Sequence, residues 1–185
     1  MTGVLKHGAI TIALLAAAIG CTRHSGAGAD TLAAVQAAHG ATNDSAFAGV
    51  QSRGMGVMGV DQATSAHVFE SLPDGGRIIL ERPSASDSAG IATIRAHMRE
   101  IAGAFARGDF TAPGLVHARQ VPGTKVMAAR AAALDYLAID RPRGAEVRIT
   151  TRDRAALAAV HEFLAFQRAD HRAAGHEGDH SGMSH

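Results

Sequence analysis

Histidine is the residue type with the greatest capacity for chemistry in this 185-residue chain, which contains eleven of them. Four lie near the C-terminus together with one methionine: His171, His176, His180, His185 and Met183. Imidazole binds Zn²⁺ and Cu²⁺, and a thioether adds affinity for Cu⁺. Spacings of four and five residues among glycines and serines permit several ligand sets without imposing one geometry. The tail therefore predicts copper or zinc binding, the alternative being a solvated segment with no such role.

A second set of candidate metal ligands lies further toward the N-terminus: His67, His97, His117, His161, Met55 and Met58. Two thioethers three residues apart, with His67 on the following strand, suit Cu⁺. Methionine beside glycine also commonly fills a hydrophobic gap. For the histidines, the alternative is a structural role in which a half-buried ring is bonded to a backbone carbonyl. A shared metal site requires two or three of the rings to converge.

Sequence motifs of catalysis give little support for an enzyme. The sequence contains no Gly-x-Ser-x-Gly elbow and no phosphate-binding loop. His161-Glu162 opens as a zinc protease motif would, but Ala165 stands where the second histidine belongs. We therefore expect a non-catalytic protein without an organic cofactor.

Residues 1–20 have the features of a secretory signal peptide. Lys6 gives a basic start, residues 9–19 are apolar, and Gly20 is small. An apolar segment of this length is shorter than the roughly 20 residues that span a bilayer. The sequence Ala18-Ile19-Gly20-Cys21 resembles a lipobox, which directs acylation of the cysteine and cleavage just before it.

Cys21 is the one cysteine of the chain, and a lone thiol in an oxidising compartment is a liability unless it is consumed. We expect Cys21 to carry a lipid that anchors the exported protein to a membrane. The protein would then face the periplasm, from the outer membrane in a Gram-negative host, or lie at the cell surface. The alternative is ordinary signal cleavage in which Cys21 plays no part.

Charge composition excludes some classes of partner. Removing residues 1–20 removes Lys6 and leaves 17 basic and 17 acidic side chains. A nucleic-acid-binding protein would show a basic excess, which is missing here. The length of the chain after the signal fits a single domain with its own core.

The chain divides into a signal peptide (1–20), a lipid-anchored flexible linker (21–64), a folded domain (65–174) and a His-rich disordered tail (175–185). Within the domain, residues 65–72 and 77–81 are predicted strands around a Pro73-Asp74 turn, and a helix follows over 87–107. The same order recurs as strands over 134–139 and 146–151 around a Pro142-Arg143 turn, then a helix over 153–174. Residues 115–120 predict a further strand, and 125–133 are compatible with either helix or strand.

Each hairpin and each helix has one apolar face that must be buried. We therefore predict an α+β fold of two tandem β-hairpin–helix repeats, forming one antiparallel sheet with two helices on one face. Asp87 and Asp153 are the expected helix N-caps. Phe163 and Phe166 lie off the apolar stripe of the second helix, so we expect them to pack under loops or to form a homo-oligomer contact.

Several segments together resemble a group of small exported bacterial proteins: residues 59–67, 72–78, 94–97, 108–110, 121–124, 160–167 and 170–172. The resemblance covers about residues 54–176. It implies an exported protein that often ends in a His-rich tail, and members are often labelled aspartate carbamoyltransferase. Carbamoyltransferases bind carbamoyl phosphate with a Ser-Thr-Arg-Thr loop at a helix N-terminus, where free amides favour an anion. The nearest match here is residues 150–153, in which Asp153 puts a carboxylate where the phosphate would lie, so we do not expect this activity.

The expected function is binding or buffering of copper or zinc at the cell envelope. One alternative is an interaction or scaffold domain with structural histidines, and another is a domain that binds a small ligand between sheet and helices. Convergent histidines favour a metal, and a closed apolar cleft favours a ligand.

The lipid anchor is tested by the variant Cys21→Ala. We expect it to block acylation, so that the mature protein leaves the membrane fraction or the precursor stays uncleaved. Fractionation and the mass of the N-terminal peptide measure both outcomes. Unchanged membrane attachment and processing would show that Cys21 is not the anchor.

Overall fold

A computed structural model describes residues 44–57 and 65–173 of the chain. Within them, four strands form one antiparallel sheet in the order β1-β2-β4-β3: β1 (Ala66–Leu72), β2 (Gly75–Glu81), β3 (Leu134–Arg141) and β4 (Gly144–Thr151). The helices are α1 (residues 44–57), α2 (Ser88–Ala106), α3 (Thr111–His117), α4 (Thr124–Ala129) and α5 (Arg154–His171), with a 3₁₀ turn over Ala131–Ala133. The predicted α+β class is confirmed.

The predicted repeat is confirmed by the strand registers. Adding 69 to the pair Leu72↔Gly75 of the first hairpin gives the pair Arg141↔Gly144 of the second. The two hairpins join through β2 and β4, whose central pair is Ile78↔Val147, again 69 residues apart. Both hairpins close over two-residue turns that begin with proline, whose fixed φ suits that position. The hairpins are therefore related by a pseudo-twofold axis through the centre of the sheet.

Two glycines permit the close approach of β2 and β4. A Cβ atom on Gly75 would lie 2.0 Å from the Ile149 carbonyl oxygen, and one on Gly144 would lie 2.0 Å from that of Leu80. The two contacts are equivalent, since Gly75 and Leu80 correspond to Gly144 and Ile149 under the same shift of 69. Only glycine leaves room for the opposing backbone at these positions.

Both long helices begin at the predicted aspartate caps. Asp87 accepts a hydrogen bond from the Gly90 amide at 3.0 Å, and Asp153 accepts from the amides of Ala155 and Ala156 at 2.8 and 2.9 Å. Such a carboxylate satisfies amides that the first helical turn leaves without partners. The two caps are 66 residues apart, so the helices correspond under a shift of 66, three fewer than the strands because the first loop is longer.

The two long helices cover one face of the sheet and exchange places between the repeats. Helix α2 follows the first hairpin but packs mainly on β3 and β4, whereas α5 follows the second and packs mainly on β1 and β2. The covered face presents Phe69, Ile78 and Val147, which are neighbours in register and are buried. The core thus forms between the repeats.

Equivalent side chains of the two helices bind equivalent carbonyls. Arg95 on α2 donates to the carbonyl oxygens of Arg141 and Gly144 at 2.7 and 3.2 Å. His161, 66 residues later on α5, donates from Nε2 to those of Leu72 and Gly75 at 2.9 and 3.0 Å. Each helix is therefore fixed to the turn of the other repeat's hairpin.

The strand predicted over residues 115–120 is wrong, because this segment belongs to α3 and the turn after it. Asp109 starts the helix by accepting from the Thr111 amide at 2.9 Å, and Ala118 ends it in the left-handed conformation at φ 52°. Pro113 lies in the first turn, where its missing N–H removes no helical bond. For residues 125–133, which the sequence left open, the structure has α4 and the 3₁₀ turn.

The homo-oligomer contact suggested for Phe163 is also wrong. Its side chain is 1% exposed and meets the ring of Phe105 edge-on, with centroids 5.8 Å apart. The buried face of α5 is wider than the stripe read from the sequence and includes this position. Phe166 is half-buried and packs against the His117 ring, with centroids 4.9 Å apart.

Residues 44–57, which fall in the predicted linker, form helix α1 and pack on the domain. Val50 is 3% exposed, and Arg53 Nε donates to the Val116 carbonyl at 2.7 Å. Arg172 pairs with Asp44 at 2.6 Å and lies over the Phe47 ring. No helix in residues 44–57 or 65–173 is long and apolar enough to cross a membrane. The predicted signal, Cys21, Met58 and the tail after residue 173 lie outside the described residues.

Alanine at Gly75 or Gly144 should destabilise the domain by about 1–3 kcal/mol, because the new methyl group meets a backbone carbonyl. Gly103→Ala on α2 is a matched control, since its Cβ would meet only the end of the Arg107 side chain at 3.4 Å. That control should be neutral or up to about 1 kcal/mol more stable through helix propensity. Urea unfolding measures all three variants, and equal effects would contradict the close approach of β2 and β4.

Candidate functional site

Four histidines and a set of apolar side chains line one cavity between β1, β2 and helices α2, α3 and α5, with a volume of about 70 Å³. The histidines are His67, His97, His117 and His171. The apolar lining includes Phe69, Leu80, Met98, Phe105, Val116 and Phe163. The sequence named each histidine as a candidate but gave no reason for these four, rather than His161, to meet.

His67 on β1 presents a bare ring nitrogen to the interior. Its Nδ1 lies 3.3 Å from the Ser65 carbonyl oxygen, which can only accept, so Nδ1 carries the proton of the neutral ring. Nε2 is then a lone pair. It is buried and has no hydrogen-bond partner within the described residues. A buried polar atom without a partner is costly in a protein interior, and a specific role is the usual explanation.

The rings of His67, His171 and His117 lie side by side. His67 and His171 stack with centroids 5.6 Å apart and planes 13° from parallel. His117 meets His171 edge-on with centroids 4.9 Å apart. His97 reaches the same cavity from α2 and is 9% exposed.

Burial keeps three of these rings neutral at neutral pH. Loss of solvation lowers the pKa of His67 to about 4, opposed by its bond to Ser65 and reinforced by the charge of a protonated His97. Loss of solvation also lowers the pKa of His171 to about 3, with further lowering by His117 and His67. The pKa of His97 is lowered mainly by burial. Neutral imidazole is the form that coordinates a metal ion.

His117 on α3 is held at both nitrogens. Its Nδ1 donates to Asp170 Oδ2 at 2.5 Å, and its Nε2 lies 2.9 Å from Gln167 Oε1. Asp170 also pairs with the exposed Arg119 at 3.0 Å. The carboxylate therefore fixes the orientation of the imidazole, and the Gln167 carboxamide lies where a partner of Nε2 would bind.

The pseudo-twofold axis relates the histidines to aromatic residues in the other half of the core. Shifts of 69 and 66 place His67 opposite Tyr136 and His171 opposite Phe105. Phe105 and Tyr136 pack edge-on with centroids 5.8 Å apart, much as His171 and His67 lie 5.6 Å apart. His97 corresponds in the same way to Phe163. Aromatic rings thus fill equivalent positions, so packing alone does not require histidine.

The remaining predicted ligands lie elsewhere. His161 is the structural residue described above, bonded to two carbonyls at a hairpin turn. Met55 is on α1 with 53% of its surface exposed. Met58, His176, His180, His185 and Met183 fall outside the described residues.

Sequence reasoning missed Met98, Gln167 and Asp170 as parts of the site. One signal was available, because Gln167 and His171 are polar residues at positions of the apolar stripe of α5. Met98 gave none, since methionine in such a stripe is ordinary core.

Within residues 44–57 and 65–173, no three His, Cys, Asp or Glu side chains are arranged to hold a metal ion as they stand. The stacking of His67 on His171 and the contact between His117 and Gln167 keep the nitrogen lone pairs from converging. Shared coordination would require these rings to rotate. At the N-terminus of α5, Asp153 occupies the amides that a phosphate would need and also pairs with Arg130.

Comparison with family models, curated proteins and solved structures finds no match to this chain. Its function is therefore inferred from the geometry and chemistry of the cavity.

The buried histidines should make the domain sensitive to mild acid. Their folded pKa values lie below the usual 6.5, so the unfolded chain binds more protons as pH falls from 6.5. The free energy of unfolding should then fall by up to about 1.4 kcal/mol per pH unit for each such histidine. Urea unfolding between about pH 7.5 and pH 5 measures the slope above the range in which carboxylates titrate.

His171→Phe is the control, because it places at this position the residue found at the equivalent Phe105. It should shallow the slope by the contribution of one histidine. A slope that is the same in both proteins would contradict the lowered pKa of His171.

Proposed function

We propose that the mature protein is a lipid-anchored, non-catalytic envelope protein that binds copper or zinc through the histidines of the cavity. The observation that carries this proposal is the buried Nε2 of His67, which has no hydrogen-bond partner within the described residues. A neutral lone pair directed into a dry cavity is ready to coordinate a metal without losing a proton first.

The orientation of the rings supports the same reading. Histidines that coordinate metals usually donate their second ring N–H to a carbonyl or carboxylate, which fixes tautomer and direction. His67 does so with the Ser65 carbonyl, and His117 does so with Asp170. Two further rings, His97 and His171, line the same space in their neutral forms.

The separations of the rings are compatible with a shared ion. With metal–nitrogen bonds of about 2.0–2.1 Å, two imidazoles on one tetrahedral ion have centroids about 5 Å apart. The centroids of His67 and His117 lie 5.6 and 4.9 Å from that of His171. Rotation of the rings, without displacement of helices, is the change that binding requires.

The size of the cavity favours an ion over an organic ligand. A cavity of about 150 Å³ is needed to hold benzene, whereas this one has about 70 Å³. A small organic ligand therefore does not fit without expansion of the core.

A partner-binding role has one observation in its favour. Leu137 and Ile139 on β3 are 61% and 39% exposed, and strand alternation puts them on the face opposite the helices. Their neighbours across the sheet are Arg148 and Glu146, so charged groups interrupt this apolar surface. We regard it as the second candidate.

The export and anchoring part of the proposal rests on the sequence of residues 1–21. The histidines after residue 173 would add a second, less selective set of ligands at the end of the domain. A cavity that retains the ion and a tail that collects it would together suit capture or buffering at the envelope.

The proposal is tested on the mature chain with His176, His180 and His185 changed to Ser, so that only the domain can bind. We expect one copper or zinc ion per chain with micromolar or tighter affinity, about −8 kcal/mol. His67→Phe and His171→Phe should each weaken binding at least tenfold, or about 1.4 kcal/mol. Equilibrium dialysis with elemental analysis measures stoichiometry and affinity.

His161→Gln is the matched control, since His161 contacts hairpin carbonyls and does not line the cavity. It should retain full affinity once folding is verified by circular dichroism. Loss of all binding tighter than millimolar in the tail variant would contradict the proposal. Equal losses in the His161 and His67 variants would contradict the assignment of the site.

A further inference from the structure

The cavity combines donors that distinguish between metal ions. Met98, the residue after His97 on α2, is 2% exposed and lines the same cavity as the imidazoles. A thioether is a soft ligand that favours Cu⁺, whereas Zn²⁺ and Cu²⁺ gain little from it. The donors on offer are thus neutral nitrogen and soft sulfur.

The charge of the surroundings distinguishes them further. Among the described residues that line the cavity there is no Asp, Glu or Cys. The cost of moving an ion from water into apolar surroundings grows with the square of its charge, so a divalent ion costs about four times as much as a monovalent ion of equal size. Neutral ligands cannot offset the second charge.

One carboxylate stands behind the cluster. Asp170 bonds to His117 Nδ1 at 2.5 Å, and its other oxygen is 3.0 Å from Arg119, whose side chain is 56% exposed and solvated. A single negative charge behind one ring balances a single positive charge in the cavity. It does not balance two.

From these donors and charges we propose that the ion held by the domain is Cu⁺, bound among His67, His97 and His171 with the thioether of Met98 as the sulfur ligand; this rests on the metal-binding function proposed above. Cu⁺ accepts linear and trigonal ligand sets as well as tetrahedral ones, because its filled d shell imposes no geometry. Two nitrogens and one sulfur therefore suffice, which lessens the rearrangement that the stacked rings must make.

The test uses the mature chain with His176, His180, His185 and Met183 changed to Ser. Cu⁺ kept reduced by ascorbate is competed against a colorimetric Cu⁺ chelator, and Zn²⁺ and Cu²⁺ are titrated separately. We expect one Cu⁺ per chain, held at least 100-fold more tightly than either divalent ion. Met98→Leu, which conserves volume, should weaken Cu⁺ at least tenfold and leave Zn²⁺ affinity unchanged.

Met127→Leu is the control, because Met127 is 0% exposed in the same core but does not line the cavity. It should retain Cu⁺ affinity. X-ray absorption of the Cu⁺ form gives a second readout, in which a sulfur scatterer is present and is lost in the Met98 variant.

The outcomes separate the two proposals. Zn²⁺ binding as tight as Cu⁺ binding, or a Cu⁺ site without sulfur, overturns the Cu⁺ assignment and leaves the metal-binding function standing. Failure of Cu⁺, Cu²⁺ and Zn²⁺ alike to bind overturns both.

Discussion

The antiparallel pairing of β2 with β4 is the interaction on which the rest of the domain depends. Centred on Ile78 and Val147 and permitted by two glycines, it sets the hairpins edge to edge in one sheet. Because of this arrangement, each long helix packs on the hairpin of the other repeat. Helix α5 thereby carries His171 across to His67 on β1, so the cavity is built from both repeats and belongs to neither alone.

The cavity and the aromatic cluster opposite it use equivalent backbone positions for different ends. Where one half has Phe105 and Tyr136, the other has His171 and His67. Keeping an imidazole neutral in apolar surroundings costs about 1.4 kcal/mol per unit of lowered pKa when the ring must be protonated. The histidine half therefore gives up tolerance to acid in exchange for exposed lone pairs, a trade typical of functional sites.

Local signals predicted much of the fold, whereas the site depended on contacts that no local signal records. Proline turns and aspartate caps act within a few residues, so the hairpins and the starts of α2 and α5 could be predicted. Helix α3 was misread because Leu115 and Val116 resemble a strand once the Asp109 start is overlooked. The meeting of His67 with His171 follows from the exchanged packing of the helices, which the sequence does not fix locally.

The exchange of helices also governs how the chain can fold. Neither repeat has a core of its own, because the apolar face of each helix is covered by the hairpin of the other. Stable structure must therefore wait until segments about a hundred residues apart have met, and such non-local contacts slow folding. A single repeat made alone would satisfy its helix only against a second copy of itself, as the halves of a symmetric dimer do. In this sense the domain is a dimer written into one chain, and the segment between the repeats supplies the high effective concentration that a separate subunit would lack.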